Sequence, residues 1–340
     1  MQKIKTAVLG ATGMVGQAFL LLLSRHPWFE PSVLVASPER EGRLYGDSAG
    51  WLLPAPLPEL IADKPLQRFD IEQLKSEKVR IVFSALPAAV AAEMEPELAE
   101  SGFAVFSNAS AMRYRKDVPI IIPEINPDEC RPEGKHDPKK GGFVITNANC
   151  TTTGLALALA PLRKFGIRRI FLSTFQALSG AGKKGFETPE LRDNVFPRIA
   201  GEEDKVRREI RKIFSSDFEI YPFCLRVPVP FGHTETVWID FNQYPSAEDI
   251  VEAWNGFGLT GYELPSIPDT PVRYLGEEGC PRSDMSFEGN PPGMEVYTGR
   301  VRVAEGMAGF VFVFNNIIRG AAGGSIANAE LFVKKHGGEL

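Results

Sequence analysis

The sequence has little cysteine, little histidine and no long apolar run. Its four cysteines (Cys130, Cys150, Cys224 and Cys280) are widely spread and form no Cys-x-x-Cys pair. That excludes a disulfide framework and points to a reducing, cytoplasmic setting. His26, His136, His233 and His336 share no metal-ligand spacing, so no metal site is expected. No apolar stretch is long enough to span a bilayer and no signal peptide is expected; Leu20–Leu23 is short and amphipathic in context. Positive charge is not in excess either. With 38 Lys and Arg against 43 Asp and Glu, the net charge of -5 excludes a nucleic acid or an anionic membrane as partner. What remains is a 340-residue chain of ordinary globular composition, 44% hydrophobic, long enough for two domains.

The first half alternates strands and helices. Ile4–Leu9, Pro31–Ala36, Val79–Ser84, Phe103–Phe106, Pro119–Ile122 and Gly142–Thr146 read as strands. Helices are expected at Gln17–Arg25, from Leu86-Pro87 to Glu100, and over Leu155–Leu162. This pattern predicts a parallel sheet. After Cys150 the texture changes. Ile170–Gln176, Phe218–Phe223, Thr234–Phe241, Met294–Val303 and Gly309–Asn315 are longer strand candidates. Period-two alternation puts Glu235, Val237, Ile239 and Phe241 on one face, the mark of an antiparallel or mixed sheet. Gly320–Lys335 reads as a final helix, and residues 131–141 as an exposed polar loop.

Two features carry chemistry. The first is the strand–glycine loop–helix at Gly10-x-x-Gly13-x-x-Gly16, a dinucleotide fingerprint variant. Its glycines let the backbone approach a pyrophosphate, whose charge the helix N-terminus stabilises. At the end of the second strand, Ser37, Arg40 and Arg43 suit a 2′-phosphate, whereas Glu39 suits a ribose hydroxyl; NADP is favoured and NAD remains open. The second is Cys150 in Thr146-Asn-Ala-Asn-Cys-Thr-Thr-Thr-Gly154, at the mouth of a helix, where unpaired N–H groups favour the reactive thiolate. Gln176, at a strand end, is placed to orient a reacting group. His233 is the acid/base candidate, and Arg226 suits a carboxylate. The charged run from Glu202 to Lys212 reads mostly as a solvated face.

The chain resembles the aspartate-semialdehyde dehydrogenases almost end to end. The resemblance is carried by Gly10-Ala-Thr-Gly-Met-Val-Gly16, Ser84-Ala-Leu-Pro87, Asn108-Ala-Ser-Ala-Met-Arg113 and Pro123-Glu-Ile-Asn126. It continues through Asn147-Ala-Asn-Cys-Thr-Thr152, Gln176-Ala-Leu-Ser-Gly-Ala-Gly182, Arg226-Val-Pro-Val229 with Gly232-His-Thr-Glu235, and Arg319-Gly-Ala-Ala-Gly-Gly-Ser325. The Asn-Cys-Thr-Thr form is similar to the archaeal and fungal branch.

This resemblance implies an α/β fold: a Rossmann-like dinucleotide-binding domain (residues 1–148 plus 320–340) and an α+β catalytic and dimerisation domain with a mixed sheet (149–319). It implies NADPH-dependent reduction of L-aspartyl 4-phosphate to the semialdehyde, in the biosynthesis of lysine, threonine, methionine and isoleucine. Cys150 would be the acyl-enzyme nucleophile, His233 the general acid/base, Gln176 the orienting residue, and Asn149 a helper at the phosphate or oxyanion. Arg226 would bind the substrate carboxylate, Glu202 its ammonium, and Arg113 with Lys205 the phosphate. Gly10, Thr12, Gly13, Met14, Val15, Gly16, Ser37, Arg40, Ser84, Leu86, Ser179, Gly182 and Asn316 would serve the cofactor. A homodimer or homotetramer is implied, with strand faces such as that of Thr234–Phe241 as interface.

The chain departs from the family pattern at Glu39, where an Arg is usual, at Lys183-Lys184, and in the added length of residues 131–141. Malonyl-CoA reductase of the archaeal branch is the rival reading, with Lys183-Lys184 for CoA phosphates. N-acetyl-glutamyl-phosphate reductase is disfavoured because its Asn-Pro-Gly-Cys-Tyr motif is absent. A nucleotide-binding paralogue without catalysis is the non-enzymatic alternative.

Overall fold

A computed structural model describes residues 3–131 and 141–336. The 131–141 loop of the sequence reading therefore lies largely outside the described residues. The chain divides into two compact units, Met1–Ala148 with Leu264–Ser266 and Ala321–Leu340, and Asn149–Glu263 with Ile267–Gly320.

The first unit is built on six parallel strands: β1 (Ile4–Leu9), β2 (Phe29–Val35), β3 (Leu66–Gln67), β4 (Ile81–Ser84), β5 (Ala104–Ser107) and β6 (Phe143–Thr146). Their order is β3-β2-β1-β4-β5-β6. The sequence turns back between β1 and β4, and in such sheets the carboxyl ends at that switch form a binding crevice. The strands are nearly continuous apolar runs because both faces are buried: Ala7, Val8, Leu9, Val82, Phe83, Val105 and Phe106 are all shielded from solvent. Pro119–Ile122 is not a strand. With Pro119 and Pro123 removing two donors, Ile120 makes a single parallel bridge to Thr146. The last helix starts at Gly323, not Gly320, after a π-helical turn at Ile318–Ala322. Leu264–Ser266 joins this unit through Ser266, whose N–H and Oγ donate to Glu330, which also takes the His26 Nε2 proton at 2.6 Å.

The second unit carries a mixed sheet of six: β7 (Ile167–Gln176), β8 (Glu219–Arg226), β9 (His233–Phe241), β10 (Val272–Tyr274), β11 (Val296–Ala304) and β12 (Met307–Phe314), in the order β10-β11-β12-β9-β7-β8. β7 runs parallel to β8 and antiparallel to β9. One face of β9 (Glu235, Val237, Ile239, Phe241) is buried, as the alternation predicts. Against this sheet lie helices Cys150–Leu159 and Glu202–Phe214. The opposite face is exposed and aromatic. Tyr221, Phe171 and Trp238 stand in register across β8, β7 and β9, and Gly309 of β12 lies opposite Trp238, leaving its indole room. Among the described residues no helix is long and apolar enough to cross a membrane.

Candidate active site

The helix of Cys150 begins at Cys150 itself, five residues before the apolar run suggests. Asn149 caps it, its Oδ1 accepting the Thr152 N–H at 3.3 Å. The Asn149 backbone N–H donates to Glu209 at 2.6 Å, and its Nδ2 donates to Glu202 at 2.8 Å. Glu202 also takes Lys205 Nζ at 3.1 Å. The helix keeps the expected solvated face, with Asp204, Arg208 and Arg211 exposed, but Glu202 and Glu209 are buried: with Val206, Ile210 and Ile213 they form an inward stripe. Two carboxylates two turns apart thus fix the residue before the thiol. Glu209 escaped the sequence reading because it sits in a charged run; its spacing of seven from Glu202 is the signal that places both on one face.

Cys150 Sγ lies 3.4 Å from His233 Nε2. The ring is fully buried, with Phe314 edge-on at 5.9 Å. Arg226 ends β8 and donates from Nη1 to Ala177 O at 2.6 Å, while Ala177 N–H donates to His233 Nδ1 at 3.1 Å. Arg226 and His233 therefore meet through one residue of the segment after β7. Burial holds both below their usual ranges, opposed for Arg226 by Cys150 and Glu202 and reinforced for His233 by Arg226. Gln176 is buried, its Nε2 donating to Thr174 Oγ1 at 3.3 Å.

The Gln176–Gly182 segment is held from both sides. Leu178 and Ser179 N–H donate to Val229 and Pro230 carbonyls at 2.7 and 3.1 Å. Ser179 exchanges hydrogen bonds with Asn316, whose Oδ1 also takes Gly232 N–H at 3.1 Å. Asn316 thus braces the peptide before His233. Gly180 touches the pair directly: a Cβ there would lie 2.5 Å from Arg226 Nη1 and 3.0 Å from His233 Cε1. Gly320 abuts Cys150 in the same way, at 2.8 Å from its Cβ. Neither glycine stood out in the sequence, where both are lost among small-residue runs. Gly182 adopts a φ of 65°.

In the first unit the glycine loop fits a dinucleotide. Gly10 has a φ of 71° and a Cβ there would meet Ala85 O at 2.7 Å; at Gly16 a Cβ would collide with Gly10 O. Gly13 caps helix Met14–Leu23 without a side-chain cap hydrogen bond and no acidic residue lies in the first turn, which suits an anion at the N–H groups near Met14 and Val15. Thr12 and Val15 are half-buried; Ser84 ends β4 and Leu86 follows it, on the switch-point side. Gln17 braces this loop, bonding Thr12 O and Gly50 O and accepting Leu52 N–H, a role not visible in sequence. Beyond β2, Ser37 and Glu39 are exposed, and Arg40 Nη1 donates to Ser48 O at 2.6 Å. Arg113 is buried, donating to Asn147 O at 2.8 Å and Asn108 O at 2.7 Å. Among the described residues no three His, Cys, Asp or Glu side chains are arranged to hold a metal ion.

A dinucleotide loop on a parallel sheet and a cysteine facing an imidazole define the class, an NAD(P)-dependent oxidoreductase. The chain belongs to the semialdehyde dehydrogenase family: residues 5–132 match its NAD binding domain and residues 159–319 its dimerisation domain. It is 40% identical to an aspartate-semialdehyde dehydrogenase of Archaeoglobus fulgidus, covering 98% of this chain and 99% of that one. It is 32% identical to the NADP malonyl CoA reductase of Metallosphaera sedula over 98% of this chain and 97% of that one. The crystal structure of the Candida albicans aspartate semialdehyde dehydrogenase with NADP superposes with a TM-score of 0.84 at 33% identity, covering 98% and 99% of the two chains.

Proposed function

We propose that the protein reduces L-aspartyl 4-phosphate to L-aspartate 4-semialdehyde with NADPH, through a thioester on Cys150. The observation that carries this reading is the 3.4 Å approach of Cys150 Sγ to His233 Nε2 beside the buried Arg226. The thiolate attacks the acyl phosphate and phosphate leaves; a thioester then accepts hydride more readily than the parent acid derivative. The bound dinucleotide supplies that hydride. Arg226 offers a two-pronged donor to the α-carboxylate, and Glu202, close to Arg226 and Asn149, serves the ammonium. Lys205 and Arg113 are assigned to phosphate. Gln176 and Asn149 orient the reacting group and the nucleophile. Ser179, Gly182 and Asn316 act on the cofactor side, Asn316 chiefly by holding Ser179 and Gly232.

The working form is a homodimer or homotetramer in the cytoplasm. The exposed aromatic row of Tyr221, Phe171 and Trp238, with Phe223 beside it, supports this reading, as does its rim of Arg168 and Arg169 paired with Asp240.

The test is phosphate-dependent reduction of NADP, and separately of NAD, with L-aspartate semialdehyde, alongside NADPH oxidation with malonyl-CoA. Activity that needs phosphate supports the proposal. Turnover of malonyl-CoA alone would replace it with the acyl-CoA reading. Cys150→Ser should lose on the order of a thousandfold or more in kcat, and near-normal turnover by Cys150→Ala would end the covalent mechanism.

A further inference from the structure

We propose that Glu95 is a positioning residue for phosphate: through Ser107 it fixes the turn that carries Arg113, and so sets the affinity of the site for inorganic phosphate. The proposal rests on the reading above in which Arg113 serves phosphate, and it adds a residue that had no part in the sequence reading.

Glu95 lies on helix Ala88–Glu100, which packs against β5 and β6. Ala91, Glu95 and Leu98 are the buried residues of this helix. Their spacing puts them on one face, so a carboxyl stands where an apolar side chain would complete the stripe. Burial pushes this carboxyl above the usual carboxylate range, opposed by its bond to Ser107 and by the charge of Arg113. A buried carboxyl is costly unless it is hydrogen-bonded, and packing alone would be served better by leucine.

The partner of Glu95 is Ser107, the last residue of β5. Ser107 Oγ donates to Glu95 Oε1 at 2.6 Å and accepts the Ala109 N–H at 3.0 Å. A hydroxyl has one proton. With that proton committed to the carboxyl, a lone pair faces the N–H, and the chain leaves the sheet in one direction. Asn108, between the two, is held at both ends. Its N–H donates to Ser84 O at 3.0 Å, and its carbonyl takes Arg113 Nη2 at 2.7 Å. Arg113 Nε donates to Asn147 O at 2.8 Å, and Asn147 N–H donates to Ser107 O at 2.8 Å. Two routes thus lead from Ser107 to the guanidinium, one through Asn108 and one through Asn147. Together they set the plane of a rigid donor fork, on which recognition of phosphate depends. A side chain at position 95 that cannot accept would free the Ser107 hydroxyl to rotate, and the Ala109 N–H would lose its fixed acceptor. Glu95 is shielded from solvent, so its effect reaches phosphate only through Ser107 and Arg113.

The test is phosphate-dependent reduction of NADP with L-aspartate semialdehyde by the wild type, Glu95→Leu, Glu95→Gln and Ser107→Ala. Leucine fills similar space without an acceptor, and such replacements of a buried charged group often leave stability unchanged or higher. In Glu95→Leu the KM for phosphate should rise roughly tenfold, with the KM for NADP within about twofold and the melting temperature unchanged or raised. Glu95→Gln keeps an oxygen for Ser107 and should stay within about threefold of the wild type in KM for phosphate. If Glu95→Leu does not fold, Ser107→Ala reads the same link with a smaller change, and the same selective loss is expected. The proposal is overturned if the two KM values rise together, if the phosphate KM stays put in Glu95→Leu and Ser107→Ala, or if Glu95→Gln is as impaired as Glu95→Leu. A second readout uses no substrate. Amide exchange over residues 107–113, followed by mass spectrometry, should speed up several-fold in Glu95→Leu and Ser107→Ala; unchanged exchange would show that the turn does not depend on Glu95. A wild type without phosphate-dependent activity would strike the function proposed above and this inference with it. Phosphate-dependent wild-type kinetics with indifferent variants would strike this inference alone.

Discussion

Glu235 stands out at the residue scale. Among the described residues both of its carboxyl oxygens are buried without a hydrogen-bond partner. Burial, with Glu202 adding to it, holds this carboxyl well above the usual carboxylate range. The native state therefore keeps a proton that the unfolded chain gives up above about pH 4.3. The stability contribution is full below that pH and declines as pH rises towards the folded value. Glu235→Gln cannot ionise, so its melting temperature should fall less steeply than the wild type's between about pH 5 and about pH 8. Parallel slopes in a thermal denaturation series would show that Glu235 titrates alike in both states. His233 shifts in the opposite direction. Its contribution is full above about pH 6.5 and is lost as pH falls through its lowered folded value, so His233→Asn should flatten the acid limb of the same series. Arg226→Lys keeps the charge but loses the planar fork. Its kcat/KM should fall roughly tenfold to a hundredfold, mostly in KM for the carboxylate-bearing substrate.

At the scale of elements, the segment from Gln176 to Gly182 is the part most exposed to substitution. Gly180→Ala puts a methyl against Arg226 and His233. The variant should keep its melting temperature within a few degrees yet lose at least about tenfold in kcat, because a displacement of an ångström at the reacting groups is costly. Asn149→Ala removes the cap of the Cys150 helix, at about 1 kcal/mol of stability. It also takes one side-chain partner from Glu202 and leaves Lys205, so urea unfolding and the KM for the substrate should both change.

What the sequence revealed follows the range of the forces involved. β1 is read to the residue because an apolar run flanked by the glycine loop leaves no alternative. β3 and β10, two and three residues long, carry no pattern of their own and exist only through their neighbours. The three threonines hid the start of the Cys150 helix, since β-branched residues weigh against helix. They are accepted there because they are buried and because Thr153 Oγ1 bonds back to Asn149 O at 3.0 Å. Cys150, His233 and Arg226 were visible as residue types. The links between them were not, because Ala177, Gly180 and Asn316 act through backbone or a shared amide and leave no chemical signature in a string of letters.

At the scale of the whole molecule, the matched dimerisation domain and the exposed aromatic face of its sheet are the grounds for the proposed interface. Phe171 and Tyr221 stack at 5.3 Å, and Phe223 is 68% exposed on the same strand as Tyr221. Phe223→Asp should shift the protein to a smaller species in light scattering while leaving the secondary-structure content unchanged by circular dichroism; an unchanged mass would move the interface elsewhere.

With that face as the proposed interface, folding becomes a matter of mass action. A surface that is buried only against a second copy ties the stability of each chain to the amount of chain present. Melting temperature should rise with protein concentration in the wild type and lose that dependence in Phe223→Asp. Activity measured at high dilution would then report the population of assembled molecules as much as the chemistry at Cys150.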